Sequence, residues 1–289
     1  MIKTFQLYET LDGDTPLPGV ITSYVVGMPS GEVIDITDDQ FINLKKQRLI
    51  RYNKGGMYFT FLDENYLMVK KLTQDPMKIQ YIHYCMESFK ISNYTVNADL
   101  SVDVKGDVDI SGKSLQKIPI KFRQVTGNFD CSMNKLNNLT NTPNQIGGFF
   151  DCCSNQIYTL IGGPKFVAGG YYCMDNNLED LHGFPNYCQV VFDCERNNIK
   201  TLKGMPEKII DVRFFNVSYN RLTNLFHSSR KTMNFDCSHN TITTLTNGPK
   251  EVTGNFNCTF NRLFNLMGMP SCNKIIFNEG NEIDEVDYD

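Results

Sequence analysis

FDCSMNKLNNLTNTP at residues 129–143 returns as FDCCSNQIYTLIGGP at 150–164 and as YYCMDNNLEDLHGFP at 171–185, a step of 21 residues each time. The leading triplet continues as FDC ending at Cys194 and Cys237 and as FNC ending at Cys258. VDI ending at Ile110 and FNV ending at Val217 keep the register with substitutions, and FNE at 277–279 reads as the last, which makes about nine turns. Other columns travel with the triplet. Three residues after it stand Asn134, Asn155, Asn176, Asn197, Asn220, Asn240 and Asn261, and two further on stand Leu136, Ile157, Leu178, Ile199, Leu222, Ile242 and Leu263. A second Leu column runs from Leu139 to Leu266. Pro143, Pro164, Pro185, Pro206, Pro249 and Pro270 close the turns, with an apolar residue after most of them, as at Ile146, Val167, Ile209 and Val252.

Elementary geometry assigns each column a place. Side chains alternate along a strand, so the aromatic and the Cys point inward while the residue between them points outward. The six cysteines of that kind would be inert core residues, since a buried Cys behaves as a small hydrophobe. The Asn stands where the chain leaves the strand, and its amide offers donors and an acceptor to backbone groups that no ladder satisfies. Proline on the far side fixes φ and removes a donor, and a turn of this length has no room for a long helix. The expected convex side is therefore irregular or 3-10. Each unit buries its apolar edge only against its neighbours, so the units stack, and eight intervals of roughly 4.8 Å make a stack about 38 Å long.

Written as F-x-C-x-x-N-x-L-x-x-L-x-x-x-P, the unit resembles the leucine-rich-repeat pattern with Cys in the place of its second Leu. The lead-in ISNYTVNADLSVDVKGDVDISGKSLQKIPIKFRQVTGNFDCSMNKL at 91–136 is similar to the opening of the solenoid in leucine-rich-repeat proteins of tailed phages and some bacteria, and the likeness runs from Lys90 to Asp289. The resemblance implies an α/β-type leucine-rich-repeat solenoid with a short-strand parallel concave sheet, and a bacteriophage origin. The repeats also resemble those of bacterial effector ligases, which carry a separate catalytic domain after the repeats. This chain ends at Asp289, a few residues beyond the last turn, and the expectation is a chain without that domain.

Composition narrows the remaining choices. With 289 residues, 41% hydrophobic and 21% charged, the chain has material for a core, and a net charge of −4 gives no global attraction to nucleic acid or an anionic membrane. MIKTFQLYETLDGD at the start carries acids where a signal peptide needs an apolar stretch, so the expectation is a protein in a reducing host cytoplasm, with a place in the virion as the alternative. Residues 1–90 lack the period and read as a small α+β domain or cap before the solenoid at 91–289. Strands are expected at Thr4–Tyr8, Val20–Val26 and Met57–Phe61. Helices are expected from the capping box Thr37-Asp38-Asp39-Gln40 through Leu49, from Asp63 to Leu72, and from Pro76 through Phe89 over the open end of the first turn.

Chemistry-bearing clusters are few. His83, His182, His227 and His239 are scattered, no nucleophile sits in a triad context, and only Cys152 and Cys153 are near neighbours, facing opposite sides of one strand. No catalytic residue, metal or cofactor is expected. Cys153, as the outward one of the pair, should be the most reactive thiol. The outward column reads Asp109, Asp130, Asp151, Tyr172, Asp193, Asn216, Asp236, Asn257 and Asn278. Phe149, Val191, Phe214 and Ile276 flank it on one side, and Met174, Tyr219 and Phe260 on the other. Stacked acids repel and exposed aromatics bring no folding benefit, so the pattern points to a protein partner with a basic surface. The partner-binding residues expected are Asp130, Phe149, Asp151, Tyr172, Met174, Asp193, Phe214, Tyr219, Asp236 and Phe260. Occlusion of a host factor is the leading functional expectation, beside a virion structural role. A third reading has Lys45, Lys46, Arg48, Arg51 and Lys54 binding nucleic acid.

Overall fold

A computed structural model of the chain describes residues 5–6, 21–27, 33–36, 50–52, 57–60, 68–73, 76–206, 212–277 and 279–283. The chain divides into two compact units, Met1–Cys85 with Ala98–Leu100, and Met86–Asn97 with Ser101–Asp289. In the first unit β1 (Phe5–Gln6), β2 (Ile21–Gly27), β3 (Val33–Ile36), β4 (Ile50–Tyr52), β5 (Met57–Thr60) and β6 (Met68–Thr73) form an antiparallel sheet. The strands expected near Thr4, Val20 and Met57 are β1, β2 and β5. The helix expected from Asp63 to Leu72 is not formed over Met68–Thr73. That segment is β6, paired with β2 from Thr22↔Thr73 to Gly27↔Met68 and with β5 through Tyr58↔Val69. Two partner strands satisfy its backbone, and tertiary pairing overrides a local capping signal. The helix expected after Thr37 lies outside the described residues, as do Lys45, Lys46, Arg48 and Lys54, whereas Arg51 belongs to β4. Helix α1 (Pro76–Ser88) forms where expected, with Pro at its first position and Ile79, Ile82, Cys85 and Met86 on its buried face.

The second unit is the solenoid. Its main sheet is parallel, and nine strands from Val108–Asp109 to Ser271–Ile276 are separated by eight repeat steps. Register follows the sequence columns: Asp109, Asp130, Asp151, Tyr172, Asp193, Asn216, Asp236 and Asn257 lie side by side. A second sheet, parallel except for Tyr94–Val96 antiparallel to Val102–Val104, forms where an irregular or 3-10 side was expected. It aligns Val104, Val125, Ile146, Val167 and Cys188, the apolar residues at the closing end of each turn, all buried. In the last turns the equivalent residues Thr232, Val252 and Cys272 join the main sheet. Ile209 lies outside the described residues. Apart from these strands, the described part of the solenoid is turns and irregular chain, as a short proline-closed repeat requires.

Three buried columns hold the stack together. Phe129, Phe150, Tyr171, Phe192, Phe215, Phe235 and Phe256 form an aromatic spine with successive ring centroids 4.8 to 6.0 Å apart. Beside it the cysteine thiols donate to a carbonyl of the next turn, as from Cys173 Sγ to Asp193 O at 3.3 Å and from Cys194 Sγ to Asn216 O at 3.2 Å. A leucine could not donate there, which gives the column a physical reason to be Cys. The Asn column is an inter-turn clamp. Asn197 donates through Nδ2 to the carbonyls of Cys194 and Glu195 in its own turn and of Cys173 in the turn before, and its Oδ1 accepts the Leu178 N–H at 3.0 Å.

The last turn departs from the expected register. Ile275 pairs with Phe256 and Ile276 with Asn257, so Ile276, rather than Asn278, continues the outward column. Phe277 takes the place of the Cys, and one extra residue precedes Asn281, which still accepts the Leu263 N–H and donates to Cys258 O. The FN pair at 277–278 imitates the repeat motif, but the inward position belongs to the strand that reaches the sheet, and Ile275 fills it.

Candidate functional site: the outward face of the main sheet

The acids of the outward column have a local structural role that repulsion arguments miss. Asp130 Oδ1 accepts the Ser132 N–H at 2.9 Å, Asp151 that of Cys153 at 2.8 Å and Asp193 that of Glu195 at 3.0 Å. Asp109 and Asp236 accept both the N–H and the hydroxyl of Ser111 and Ser238, and Asn216 and Asn257 form the same turn. Such Asx turns steer the chain out of the strand. The residue that follows adopts positive φ, between 51° and 54° from Met133 through Phe260. Each carboxylate thus uses one oxygen on its own backbone. Asp236 spends its second on Asn257 Nδ2 and Asp151 also meets the Cys153 thiol, whereas the second oxygen of Asp130 takes no hydrogen bond among the described residues. Hydrogen bonds from Ser111 hold Asp109 below the usual carboxylate range. Burial pushes Asp193 up, reinforced by Glu195 and Asp236.

Alongside the acids runs an apolar strip. Phe149, Val191 and Phe214 occupy one repeat position and are half-buried. The turn between Phe149 and Val191 has Gly170 at that position, and the Tyr172 ring folds back over it. A Cβ on Gly170 would lie 2.7 Å from Tyr172 Cζ. Tyr172 therefore leaves the outward column and fills the gap, meeting Phe149 edge-on at 6.3 Å. Partial burial, with Asp193 and Asp151 nearby, raises its phenol.

On the other side the sequence merged two columns. Met174 follows its Cys directly, in line with Cys153 and Glu195, whereas Tyr219 and Phe260 stand one residue further on, at the positive-φ position. There Arg196, Tyr219, His239 and Phe260 build one continuous stack. The Arg196 guanidinium lies 5.1 Å from the Tyr219 ring, His239 is 4.0 Å from Tyr219, and Phe260 is 4.2 Å from His239. These aromatics do bring a folding benefit, contrary to expectation, because their faces are used within the stack and only their edges meet solvent. Tyr219 and Phe260 remain 44% and 41% exposed. Arg196 and His239 were missed as members of this face. Their signal was present in the sequence, since all four recur two residues after the Cys column. Arg196 also pairs with Glu195 at 2.9 Å, so the face as a whole stays acidic.

Cys153 is not the exposed thiol expected. It is 8% exposed, its thiol held between the Asp151 carboxylate and the Met174 backbone, and burial together with Asp151 raises that thiol far above the ordinary value. Cys272, half-buried in the last strand, is the most accessible cysteine. Among the described residues no three of His, Cys, Asp and Glu are grouped to hold a metal ion, and no helix is long and apolar enough to cross a membrane.

The columns, the parallel sheet and the Asn clamp define a leucine-rich-repeat-type solenoid. No protein-family model and no curated protein matches the sequence. Among solved structures, YopM from Yersinia enterocolitica is similar at 18% identity and a TM-score of 0.26, over 59% of this chain and 52% of that one. The chain thus spans about half the length of that structure, and the fold assignment rests on the repeat's own geometry.

Proposed function

We propose that this protein is a non-catalytic interaction module, and that the outward, concave face of its main sheet docks a protein partner with a basic surface. One observation carries the reading: the apolar strip of Phe149, Tyr172, Val191 and Phe214 lies beside the acids of the outward column, among them Asp130, whose second carboxylate oxygen is uncommitted among the described residues. Apolar anchors flanked by charges that select and steer a partner are the usual composition of a protein-binding face. The sequence resemblance extends the reading to a phage-encoded protein that occludes a host factor in the host cytoplasm. A virion structural role is the alternative under that resemblance, and detection of the protein in purified particles would favour it.

The experiment is a pull-down from expressing cells that names a partner, followed by calorimetry on folded variants. Tyr172→Ala with Phe214→Ala should weaken binding by about 2 kcal/mol or more per anchor. Asn at positions 130, 151 and 193 should instead slow association and flatten its salt dependence. Unchanged affinity in both sets would move the site off this face.

A further inference from the structure

The flank by which the chain leaves each strand carries a second feature, separate from the proposed docking face. There Tyr158 and Glu179 hold the same repeat position on successive turns, next to buried Ile157 and Leu178. Asn177 and Asn198 stand just before Leu178 and Ile199. With Asp180 and His182 they line a shallow depression of about 580 Å³. Its polar groups are unevenly committed. Asp180 accepts the His182 N–H at 3.0 Å through Oδ1 and lies 2.9 Å from His182 Nδ1 through Oδ2, and Glu179 pairs with Lys200 Nζ at 3.2 Å. The side-chain amides of Asn177 and Asn198 make no hydrogen bond among the described residues. The Tyr158 ring is 58% exposed and stacks on no described aromatic.

This distribution selects a ligand chemistry. Glu179 already faces Lys200 and both oxygens of Asp180 face His182, so an incoming cation gains little, and an incoming anion meets two carboxylates. What remains is an apolar ring face, two amides that each both donate and accept, and carboxylate oxygens with spare lone pairs. A neutral, polyhydroxylated ring has the complementary set. Its hydroxyls donate and accept in pairs against the amides, and its C–H face packs on the tyrosine ring by dispersion. The depression lies within the size range of small-molecule sites, and its shallowness suits a hydrated ligand more than an apolar one, which would need deeper burial. We propose that it is a saccharide-binding site, with Tyr158 as the platform and Asn177 and Asn198 as the hydroxyl readers.

The test uses the full chain and four probes, methyl α-glucopyranoside, methyl α-mannopyranoside, methyl β-galactopyranoside and chitobiose, with a neutral capped tripeptide as comparison. Saturation-transfer NMR should show at least one saccharide bound with millimolar affinity. Tyr158→Ala should weaken that binding by about tenfold or more, and the Asn177→Ala, Asn198→Ala pair should weaken it to a similar degree. Tyr187→Ala, on the other side of the turn, should leave it unchanged. All these side chains are at the surface, and thermal melts of the variants confirm that the fold is retained. Absence of binding by all four saccharides, binding that survives Tyr158→Ala, or binding of the tripeptide alone overturns the proposal. None of these outcomes bears on the docking face, which shares no residue with the depression.

Discussion

Asn197 and Asp193 stand four residues apart in one turn, each in a polar column that repeats along the solenoid, yet they do opposite jobs. Asn197 is buried and spends its amide across turns, on Leu178 N–H and Cys173 O as well as on its own Cys194 and Glu195 carbonyls. Asp193 is half-buried and holds the N–H of Glu195, two residues on, with the Asn216 side chain of the next turn as its other partner. One column joins repeats to one another, and the other shapes each repeat while keeping part of its chemistry outward. A polar residue at a fixed period is therefore not evidence of function or of structure until the partners of its atoms are known.

The comparison can be broken from the inside first. Leu178→Ala removes a fully buried side chain between two turns and should cost about 2–5 kcal/mol through the cavity it leaves. Asn197→Ala orphans the Leu178 N–H and removes one of two donors from the Cys173, Cys194 and Glu195 carbonyls, which keep Asn176, Asn220 and the Asp175 N–H, for a loss of about 1–3 kcal/mol, smaller only if water enters to replace the amide. Denaturant titration measures both. If either variant melts with the wild type while Lys200→Ala does not, the inward and outward columns are exchanged.

The outward column should respond weakly and with a sign that depends on pH. Asp193 has a raised folded pKa, so the folded state holds that proton more tightly than the unfolded chain does. Its ionisation costs stability once the pH passes the unfolded carboxylate value of about 3.9, and nothing below it. Asp193→Asn keeps the Asx turn, as Asn216 and Asn257 do, and should raise the melting temperature by about 1–3 °C at neutral pH with no gain near pH 3. Asp109 has the reverse sign. Its lowered pKa contributes stability above the unfolded value that is lost as pH falls through the folded one, so Asp109→Asn should gain nothing at neutral pH. A melt in which Asp193→Asn is the less stable protein would show that a partner holds the carboxylate charged.

The smallest effect on the fold comes from thiol modification. Native labelling should reach Cys272 before any other cysteine, because the inner column and Cys153 are buried away from reagent and burial raises the thiols of Cys131, Cys152, Cys153, Cys173 and Cys237. Mass spectrometry that finds Cys153 or Cys194 modified first would remove the inward register on which the comparison rests.

Legibility in the sequence followed the range of the interactions. The Phe and Cys columns, the Asn clamp and the two Leu columns were readable because each residue answers to its own counterpart one repeat away, so the period itself carries the contact map. The Met68–Leu72 part of the expected helix was misread because its pairing with Thr22–Gly27 is non-local, and nothing within it announces a strand. Cys153 was misread because alternation along a strand ends where the Asx turn begins. The last turn was misread because a local FN pair outweighed the strand register that places Ile275 and Ile276.

By itself the sequence determined the class of fold, the inner columns and, up to the last turn, their register, since burial against a like neighbour leaves each position one chemical solution. Only the tertiary structure decided how the outer face is built. It folded Tyr172 over Gly170, joined Arg196, Tyr219, His239 and Phe260 into one stack, and tied one oxygen of each outward acid to its own backbone. Outward side chains have no repeat partner that dictates their conformation, so their arrangement is settled by rotamers and neighbours that periodicity does not encode.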